Sequence, residues 1–482
     1  MKRWILVIIT LISFAAAGAA ATPTFNKDIA PILYQRCATC HRPGEVAPFS
    51  LLTYQDASKR AKLIATVTER RYMPPWKPEP GYGKFANERR LTDAQVALLK
   101  DWAENGAPEG DPADKPALPA FADGWQGGKP DQILTMPSKY GLAADGPDQY
   151  RCFLLPLSLD HDVYVSGLEF RPDNRRIVHH ALVFADPTGV ARKRAGTDGS
   201  YPCFGGPGIP GVGLIGGWVP GAVPQQASDD YSRPVLRGSD IVVQIHYHPS
   251  GKPEFDQSSL GLIFSGPPKK GRTAAMVIGG RIDIPPGDPH YVVKGQLVLP
   301  RDVEVTSISP HAHYLGRDLK LTAHLPDGTT LPLIWIKDWD FNWQGSYQYE
   351  KPIALPKDTR IELDYVFDNS EKNPRNPSHP PVHVRWGEQT TDEMALAFLG
   401  VALPTAQEAQ EFTRQIAFQY LEAFLYEGLR IDNLPPEITS QQRLVQGLRF
   451  FDRNGNGILD ADEREAFLGF IRGFPEPARR EK

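Results

Sequence analysis

Short stretches of alternating apolar and polar residues recur between residues 125 and 402, and they constrain the fold more than any other feature. Examples are DVYVSGLEF, DIVVQIHYH, DVEVTSIS and TRIELDYVFDN. Because successive side chains of a strand point to opposite faces of a sheet, this period of two predicts half-buried strands. Gly, Pro, Asn and Asp bound the stretches, and 43 Gly and 46 Pro favour turns over long helices. The pattern predicts two all-β sandwiches, over residues 125–265 and 266–402.

Helical patterns flank this β region on both sides. Residues 22–106 end in LTDAQVALLKDWAENG, which opens with a capping box, Thr92-x-x-Gln95, and closes on a glycine. We expect a small all-α domain here. Residues 107–124 are rich in Pro, Ala and Asp and predict a semi-rigid linker, whereas residues 403–482 return to a helical pattern. The predicted chain is therefore multidomain, in agreement with its 482 residues.

The first residues, MKRWILVIITLISFAAAGAAATP, have the layout of a cleaved signal peptide over residues 1–21. A retained anchor is disfavoured because the apolar run decays into alanines, and no other segment is apolar enough to span a bilayer. We therefore expect a periplasmic or secreted protein with no membrane span after cleavage. A net charge of −4, with Lys+Arg 53 and Asp+Glu 57 well mixed, excludes nucleic acid as a partner.

A CxxCH motif, Cys37-Ala-Thr-Cys40-His41, occurs in the helical N-terminal segment. It predicts haem c, with two thioether bonds from the cysteines and an axial bond from the histidine. A zinc half-site or a redox disulfide is disfavoured, because no second CxxC and no βαβ pattern accompany it. Met73, in RRYMPPW, is either the sixth iron ligand, which we favour, or a core residue. The segment resembles a class I cytochrome c over about residues 24–110.

Paired histidines occur three times in the β region. The pairs are His179 and His180 in RRIVHHALVF, His246 and His248 in VVQIHYHPSG, and His311 and His313 in SISPHAHYLGRD. Residues two apart on a strand share a face, so each of the last two pairs can converge on one metal ion. The adjacent His179 and His180 would face opposite sides, and can share an ion only if the strand bulges. A single strand histidine is usually structural, but three such pairs predict metal sites.

These histidine segments, in this order and together with TTDEMAL at 390–396, resemble the copper type II, ascorbate-dependent monooxygenases. That family includes peptidylglycine α-hydroxylating monooxygenase and dopamine β-monooxygenase, and the resemblance covers about residues 125–402. It implies two jelly-roll-like sandwiches, each offering one copper to a cleft between them. The ligands it implies are His179, His180 and His246 for an electron-receiving copper, and His311, His313 and Met394 for an oxygen-activating copper. A thioether ligand suits the second role because it stabilises Cu(I).

The chain departs from this family at several positions. The family members named use several disulfides in this region, whereas only Cys152 and Cys203 are available here; they could pair in an oxidising compartment. The residue two positions before the HxH is Ser309, where the peptide-specific enzyme has an Arg that binds the substrate carboxylate. A peptide substrate is therefore disfavoured. His248 has no role in the resemblance, and we expect it near the site or exposed rather than on the metal.

The C-terminal segment contains a twelve-residue EF-hand loop at residues 452–463. Its ligand positions are Asp452, Asn454, Asn456, Ile458 (through its carbonyl), Asp460 and Glu463, with Gly457 at the sixth position. Apolar helical stretches flank the loop, so we expect bound Ca²⁺. A single loop with few carboxylates favours a structural calcium clip of modest affinity over a sensor.

The predicted function is hydroxylation of a C–H bond in an unknown small organic substrate with O₂. Electrons would pass from haem c, ascorbate or a periplasmic electron donor to the three-histidine copper, and then to the copper of His311, His313 and Met394. The alternative is a non-enzymatic periplasmic electron-transfer or copper-handling protein. A third hypothesis is a copper reductase of a small anion, which would turn over without O₂.

Overall fold

The computed structural model describes residues 22–45, 47–121, 124–204, 206–209, 213–219, 229–426, 431 and 442–472. The predicted signal peptide at residues 1–21 lies outside these residues. Over the described residues the chain is mostly β-sheet with a few helices, as the alternating pattern predicts. It divides into two compact units: Met1–Pro75 with Arg89–Ala120, and Trp76–Glu88 with Phe121–Lys482.

The first unit is built from short helices. They are α1 (Ala30–Arg36), α2 (Tyr54–Ser58), α3 (Ala61–Glu69) and α4 (Asp93–Glu104), with a π-helical turn at Phe25–Ile29 and a 3₁₀ turn at Pro112–Asp114. The capping box of α4 is present: Gln95 N donates to Thr92 Oγ1 at 3.2 Å, and Thr92 N donates to Gln95 Oε1 at 2.9 Å. The fully buried residues Phe25, Leu33, Leu99 and Trp102 belong to its core.

The beginning of the predicted linker is hydrogen-bonded to this first unit. Phe25 N donates to Pro108 O and Asn26 N donates to Glu109 O, both at 2.9 Å. Trp102 Nε1 also donates to Pro108 O, at 3.0 Å. The carbonyls of residues 108 and 109 thus accept N–H groups that the first helical turn cannot pair internally. These residues therefore do not act as a free spacer.

Residues 76–88, which fall within the predicted N-terminal helical domain, are grouped instead with the β-rich second unit. Glu79 N donates to Trp335 O at 2.7 Å. Phe85 forms an isolated antiparallel bridge with Tyr349 and stacks on its ring at 5.0 Å. Phe85 is 4% exposed and lies in the core of the second β-sandwich. Burial of this ring explains the placement, because the segment has no helical apolar face of its own.

Residues 132–265 form the first two-sheet sandwich. The strands are β1 (Gln132–Thr135), β2 (Tyr140–Leu142), β3 (Gln149–Leu155), β4 (Val163–Arg171), β5 (Val178–Asp186), β6 (Ser200–Pro202), β7 (Gly213–Trp218), β8 (Arg233–Val235), β9 (Asp240–Tyr247), β10 (Glu254–Asp256) and β11 (Ser259–Ser265). One sheet has the order β1-β11-β4-β8, the other has β6-β3-β9-β5-β7, and β2 pairs with β10. Helix α5 (Val190–Arg194) follows β5. Apolar side chains of both sheets share one core, and the central strand β9 is buried along its whole length.

Residues 272–403 form the second sandwich. The strands are β12 (Arg272–Gly279), β13 (Asp283–Ile284), β14 (Tyr291–Val298), β15 (Val303–His311), β16 (Gly316–His324), β17 (Thr330–Ile336), β18 (Tyr347–Leu355), β19 (Arg360–Phe367), β20 (Val384–Arg385) and β21 (Leu396–Leu403). Its sheets have the orders β12-β21-β15-β18 and β14-β19-β16-β17, and β13 pairs with β20. Every second residue of β19 is buried, as its alternating sequence predicts.

Within residues 404–426 and 442–472, the structure shows three helices after the second sandwich: α6 (Ala406–Tyr426), α7 (Gln442–Phe451) and α8 (Ala461–Arg472). Helix α6 buries Ala409, Phe412 and Ile416 in the core of that sandwich, which makes it part of the β unit. Helices α7 and α8 flank the predicted calcium loop. A helix with the length and apolarity needed to cross a bilayer is not found among the described residues.

Cys152 on β3 and Cys203 after β6 form a disulfide, with Cα atoms 5.8 Å apart. Because the bridge closes a loop with a sequence separation of 51, we expect Cys152→Ala/Cys203→Ala to lower the free energy of unfolding by about 4 kcal/mol. Urea denaturation of the variant and of the oxidised wild type measures the difference. Reduced wild-type protein should match the variant, and equal stability of oxidised and reduced protein would contradict the prediction.

Candidate metal centres

Three histidines meet on the five-stranded sheet of the first sandwich. Strands β5 and β9 pair antiparallel, with His180 opposite His246, and the register shifts between Val178 and His180. His179 is therefore the extra residue of a β-bulge, which is the condition for two adjacent histidines to share an ion. His180 Nδ1 lies 3.2 Å from His179 Nδ1 and 3.4 Å from His246 Nδ1. One ring nitrogen of each histidine lies within 4.8 Å of the others, so the three can hold a metal ion.

The surroundings keep these imidazoles neutral, which is the form that binds metals. Burial lowers the pKa of His179 and His180 well below the usual value, and repulsion between neighbouring imidazoles lowers it further. Burial also lowers the pKa of His246, although the Asp148 carboxylate opposes this effect. Nitrogen lone pairs are thus available at physiological pH.

Asp148 supports the cluster, and nothing in its sequence context indicated this role. Its side chain is 4% exposed, and its carboxylate lies 3.0 Å from His246 Nε2 and 2.7 Å from His248 Nδ1. Burial favours the neutral acid, but bonding to the two histidines outweighs it and lowers the pKa of Asp148. A carboxylate behind a metal-binding histidine fixes its ring and its tautomer. His248, half exposed, contacts this carboxylate and lies at the edge of the site.

Tyr150 covers one face of the His246 ring. Its ring stacks on the imidazole at a centroid distance of 4.2 Å and an interplanar angle of 12°. Its hydroxyl donates to Glu388 O at 2.8 Å, close in sequence to the TTDEMAL segment. Asp148 Oδ2 likewise accepts from Thr390 N at 3.3 Å. The surroundings of His246 are thus connected to the segment that carries Met394.

His311 and His313 form the second histidine group, in the second sandwich. Their ring centroids are 5.2 Å apart. His311 Nδ1 lies 2.6 Å from Gln344 Oε1, and His313 Nδ1 lies 3.0 Å from Asp392 O. Each Nδ1–H therefore has an acceptor, which leaves both Nε2 atoms for a metal. Burial lowers the pKa of His311 to about 4 and that of His313 to about 3, so both rings are neutral.

The main chain of Met394 lies beside that of His313. Strands β15 and β21 pair antiparallel with His311 opposite Leu396, and both chains continue beyond that pair. His313 N and Met394 N both donate to Glu393 Oε1, and Leu315 N donates to Glu393 Oε2 at 2.9 Å. Glu393 is fully buried, and burial raises its pKa to about 8 despite these bonds. This carboxyl group fixes the HAH turn and the methionine segment to each other.

A loop between β17 and β18 contacts both histidine groups. Phe341 stacks on His179 with centroids 4.5 Å apart and lies 5.5 Å from the ring of His313. Gln344, besides its bond to His311, has its Nε2 3.5 Å from His179 Nε2. Trp339 Nε1 donates to His313 O at 3.1 Å. The two histidine groups therefore share one set of neighbours.

The EF-hand loop turns its oxygens inward between α7 and α8. Asp452 Oδ2 accepts from Gly457 N at 3.0 Å, and Glu463 accepts from Arg453 N at 2.8 Å and Asp460 N at 3.0 Å. Asn456 Oδ1 accepts from Ile458 N at 2.7 Å, and Asn454 Nδ2 donates to Asp460 Oδ2 at 2.6 Å. Asp452 Oδ1 is buried without a hydrogen-bond partner among the described residues. A buried acceptor of this kind is suited to a cation.

The CxxCH motif of the first unit forms a hydrogen-bonded turn directly after helix α1. Cys37 N donates to Leu33 O, and His41 N donates to Cys37 O, both at 2.9 Å. Cys37 and Cys40 are not disulfide-bonded to each other. His41 Nδ1 lies 3.2 Å from Phe49 O, which leaves Nε2 of the neutral ring unprotonated. Met73 N donates to Val67 O at 3.1 Å, at the end of helix α3.

Comparisons with known proteins yield little. Models of known protein families give no match, and neither do curated proteins. Among solved structures, the chain is similar to the major capsid protein P2 from bacteriophage PM2, with 10% identity and a TM-score of 0.22 over 57% of this chain and 98% of that one. It is also similar to PNGF-II, with 10% identity and a TM-score of 0.23 over 58% of this chain and 63% of that one.

Proposed function

We propose that this chain is an exported haem- and copper-dependent monooxygenase that hydroxylates a C–H bond of a small organic substrate with O₂. The observation that carries the proposal is the loop contacting both histidine groups: Gln344 lies between His179 and His311, and Phe341 lies against His179 and His313. These groups come from separate sandwiches. Independent structural histidines would not need a shared set of contacts.

The three-histidine cluster would hold the electron-receiving copper. Three neutral imidazoles suit both Cu(I) and Cu(II), so this ligand set favours neither state strongly. Asp148 contacts Nε2 of His246, and Tyr150 stacks on its ring, so both restrict the orientation of this imidazole. The ligands can therefore keep one geometry while the ion changes its charge.

The second copper would be held by His311, His313 and Met394. A thioether is soft and stabilises Cu(I), the state that must meet O₂. The proposal is supported by Glu393, which accepts hydrogen bonds from the main chains of His313 and Met394. Glu393 would act as a positioning residue that keeps the sulfur-bearing segment beside the imidazoles.

Copper at these sites would supply one-electron transfer and oxygen activation. The overall reaction, R–H + O₂ + 2 e⁻ + 2 H⁺ → R–OH + H₂O, needs two electrons from ascorbate or a periplasmic electron donor. The buried histidines would remain uncharged, so the charge around the metals would not change with their protonation. Phe341 and Tyr314, whose rings pack 4.6 Å apart, help to shield His313 from water. Ser309 in place of an Arg leaves no peptide-carboxylate partner at that position, so a non-peptide substrate is proposed.

The N-terminal unit would be the class I cytochrome c of this enzyme. Cys37 and Cys40 would attach haem c, with His41 and Met73 as axial ligands. Two observations support this assignment: Cys37 and Cys40 are not joined by a disulfide, and the bond from His41 Nδ1 to Phe49 O leaves Nε2 for iron. Haem c would relay single electrons to the three-histidine copper, and the C-terminal loop would hold Ca²⁺ as a structural clip.

Metal analysis with visible and EPR spectra tests the architecture: we expect one haem, two type 2 coppers and one Ca²⁺ per chain. Oxygen uptake with ascorbate and a panel of small organic substrates then tests the activity. Met394→Ala should lower substrate-coupled uptake by about tenfold or more, since the variant loses the ligand that stabilises Cu(I). Equal uptake by both proteins would favour the electron-transfer or copper-handling alternative, and turnover without O₂ would favour the reductase.

A further inference from the structure

We propose that Gln344 couples the two metal sites, so that filling one opposes the filling of the other. Gln344 is a positioning residue in this inference and ligates neither ion. The inference rests on the proposed function in one respect, which is that both histidine groups bind a metal. The coupling is a further property of the two sites, because the same ligands could bind two metals independently of each other.

The side chain of Gln344 is enclosed between one histidine of each site. It is 6% exposed, with Oε1 2.6 Å from His311 Nδ1 and Nε2 3.5 Å from His179 Nε2. Phe341 stacks on His179 at an interplanar angle of 21°, which restricts how far that ring can turn away. The amide therefore faces the two imidazoles and has little contact with water.

Metal binding fixes the proton on each of these rings. A neutral imidazole has one N–H and one lone pair, and the lone pair is the metal ligand. His179 Nδ1 lies 3.2 Å from His180 Nδ1, within the cluster, so a metal there leaves the proton of His179 on Nε2. His311 presents Nδ1 to Gln344, so a metal on its Nε2 leaves the proton on Nδ1. With both sites filled, both N–H groups point at the same amide.

The two rings face different atoms of this amide, because Oε1 lies beside His311 Nδ1 and Nε2 lies beside His179 Nε2. An amide oxygen has two lone pairs, but in this placement it meets only one of the two N–H groups, and the other N–H faces the NH₂ donor, whichever way the amide is turned. With one site empty, the unliganded histidine can move its proton to its other nitrogen and accept from the NH₂ group. The conflict arises only when both sites are filled, and by thermodynamic linkage it penalises each site equally.

Two substitutions at residue 344 distinguish this coupling from simple packing. Gln344→Glu keeps the shape and offers two acceptor oxygens, so it satisfies both N–H groups at once. Gln344→Met keeps the length and removes both the donor and the acceptor. We expect the penalty to disappear in both variants, and total copper affinity to rise in Gln344→Glu above that of the unsubstituted chain. A packing role alone predicts that the buried carboxylate weakens binding.

Titration of the full-length, Ca²⁺-saturated chain with Cu(I) against a chromophoric chelator measures the coupling. The product of the two stepwise constants should be about tenfold below the product of the single-site constants from His313→Ala and His246→Ala chains. In chains that carry Gln344→Glu or Gln344→Met, the two products should be equal. Suppose that the chain binds two coppers. The inference alone would be overturned if the product of the stepwise constants equalled the product of the single-site constants, or if the difference between the two products were the same in both Gln344 variants as in the unsubstituted chain. Fewer than two bound coppers would overturn it together with the proposed function.

Discussion

His246→Ala is expected to lower the copper affinity of the three-histidine cluster by about a hundredfold or more. Structural zinc sites with four ligands bind with about 10–16 kcal/mol, so one ligand is worth roughly 3 kcal/mol, which is on the order of a hundredfold. In the part of the chain that the structure describes, the cluster brings three ligand atoms within reach of one another, so the pair that remains after the substitution is too few for a stable site. Loss of the ligand also leaves Asp148 without the ring that it orients. Copper per chain after dialysis against a weak chelator, with the EPR spectrum of Cu(II), measures the effect.

His248→Ala is the matched control for this substitution. The two histidines are two residues apart and contact the same carboxylate, but His248 is half exposed and lies outside the group of three. We expect this variant to keep its copper and to change affinity by less than about tenfold, through Asp148 alone. Circular dichroism should show both variants folded. Equal copper loss from the two variants would mean that Asp148, rather than direct ligation, determines the metal site.

The sequence predicted the β region because burial of one strand face imposes a period of two. Strand β19 follows this pattern residue by residue. Periodicity also predicted that the adjacent His179 and His180 can share a metal ion only if their strand bulges, and the structure contains this bulge. Periodicity did not predict the placement of residues 76–88. Isolated aromatic residues of this segment pack in the core of the second sandwich, although the segment falls within the predicted N-terminal helical domain.

The supporting residues of the candidate site could not be predicted, because their contacts join distant parts of the chain. Gln344 and His179 are 165 residues apart in sequence, and Asp148 and His246 are 98 apart (246 − 148). Neither Asp148 nor Gln344 belongs to a recurrent motif, so only the folded chain reveals them. Glu393 is different: it directly precedes Met394 in TTDEMAL, and a carboxylate next to a predicted metal ligand, at the start of an apolar run, was a signal that could have been noticed.

Glu463→Gln is expected to lower the Ca²⁺ affinity of the EF-hand loop by about a hundredfold or more. Position 12 supplies two ligand oxygens and one negative charge, and an amide keeps one oxygen and no charge. Glu463 is 7% exposed and accepts the N–H groups of Arg453 and Asp460, so it also orders both ends of the loop. Isothermal titration with Ca²⁺ measures the affinity. The increase in melting temperature that Ca²⁺ gives the wild type should disappear in the variant.

Asp462→Asn provides the comparison for this charge change. Asp462 and Glu463 both lie in the first turn of α8, so each substitution removes a negative charge from the same helix N-terminus. Asp462 is exposed and occupies the eleventh loop position, which supplies no ligand. A loss of Ca²⁺ affinity that both variants share is therefore caused by the lost charge at the helix N-terminus. The additional loss in Glu463→Gln is caused by the lost ligand oxygen. If Glu463→Gln bound Ca²⁺ with the wild-type affinity, Glu463 would not be a ligand, and if the wild type bound no Ca²⁺, the loop would be a polar turn rather than a calcium site.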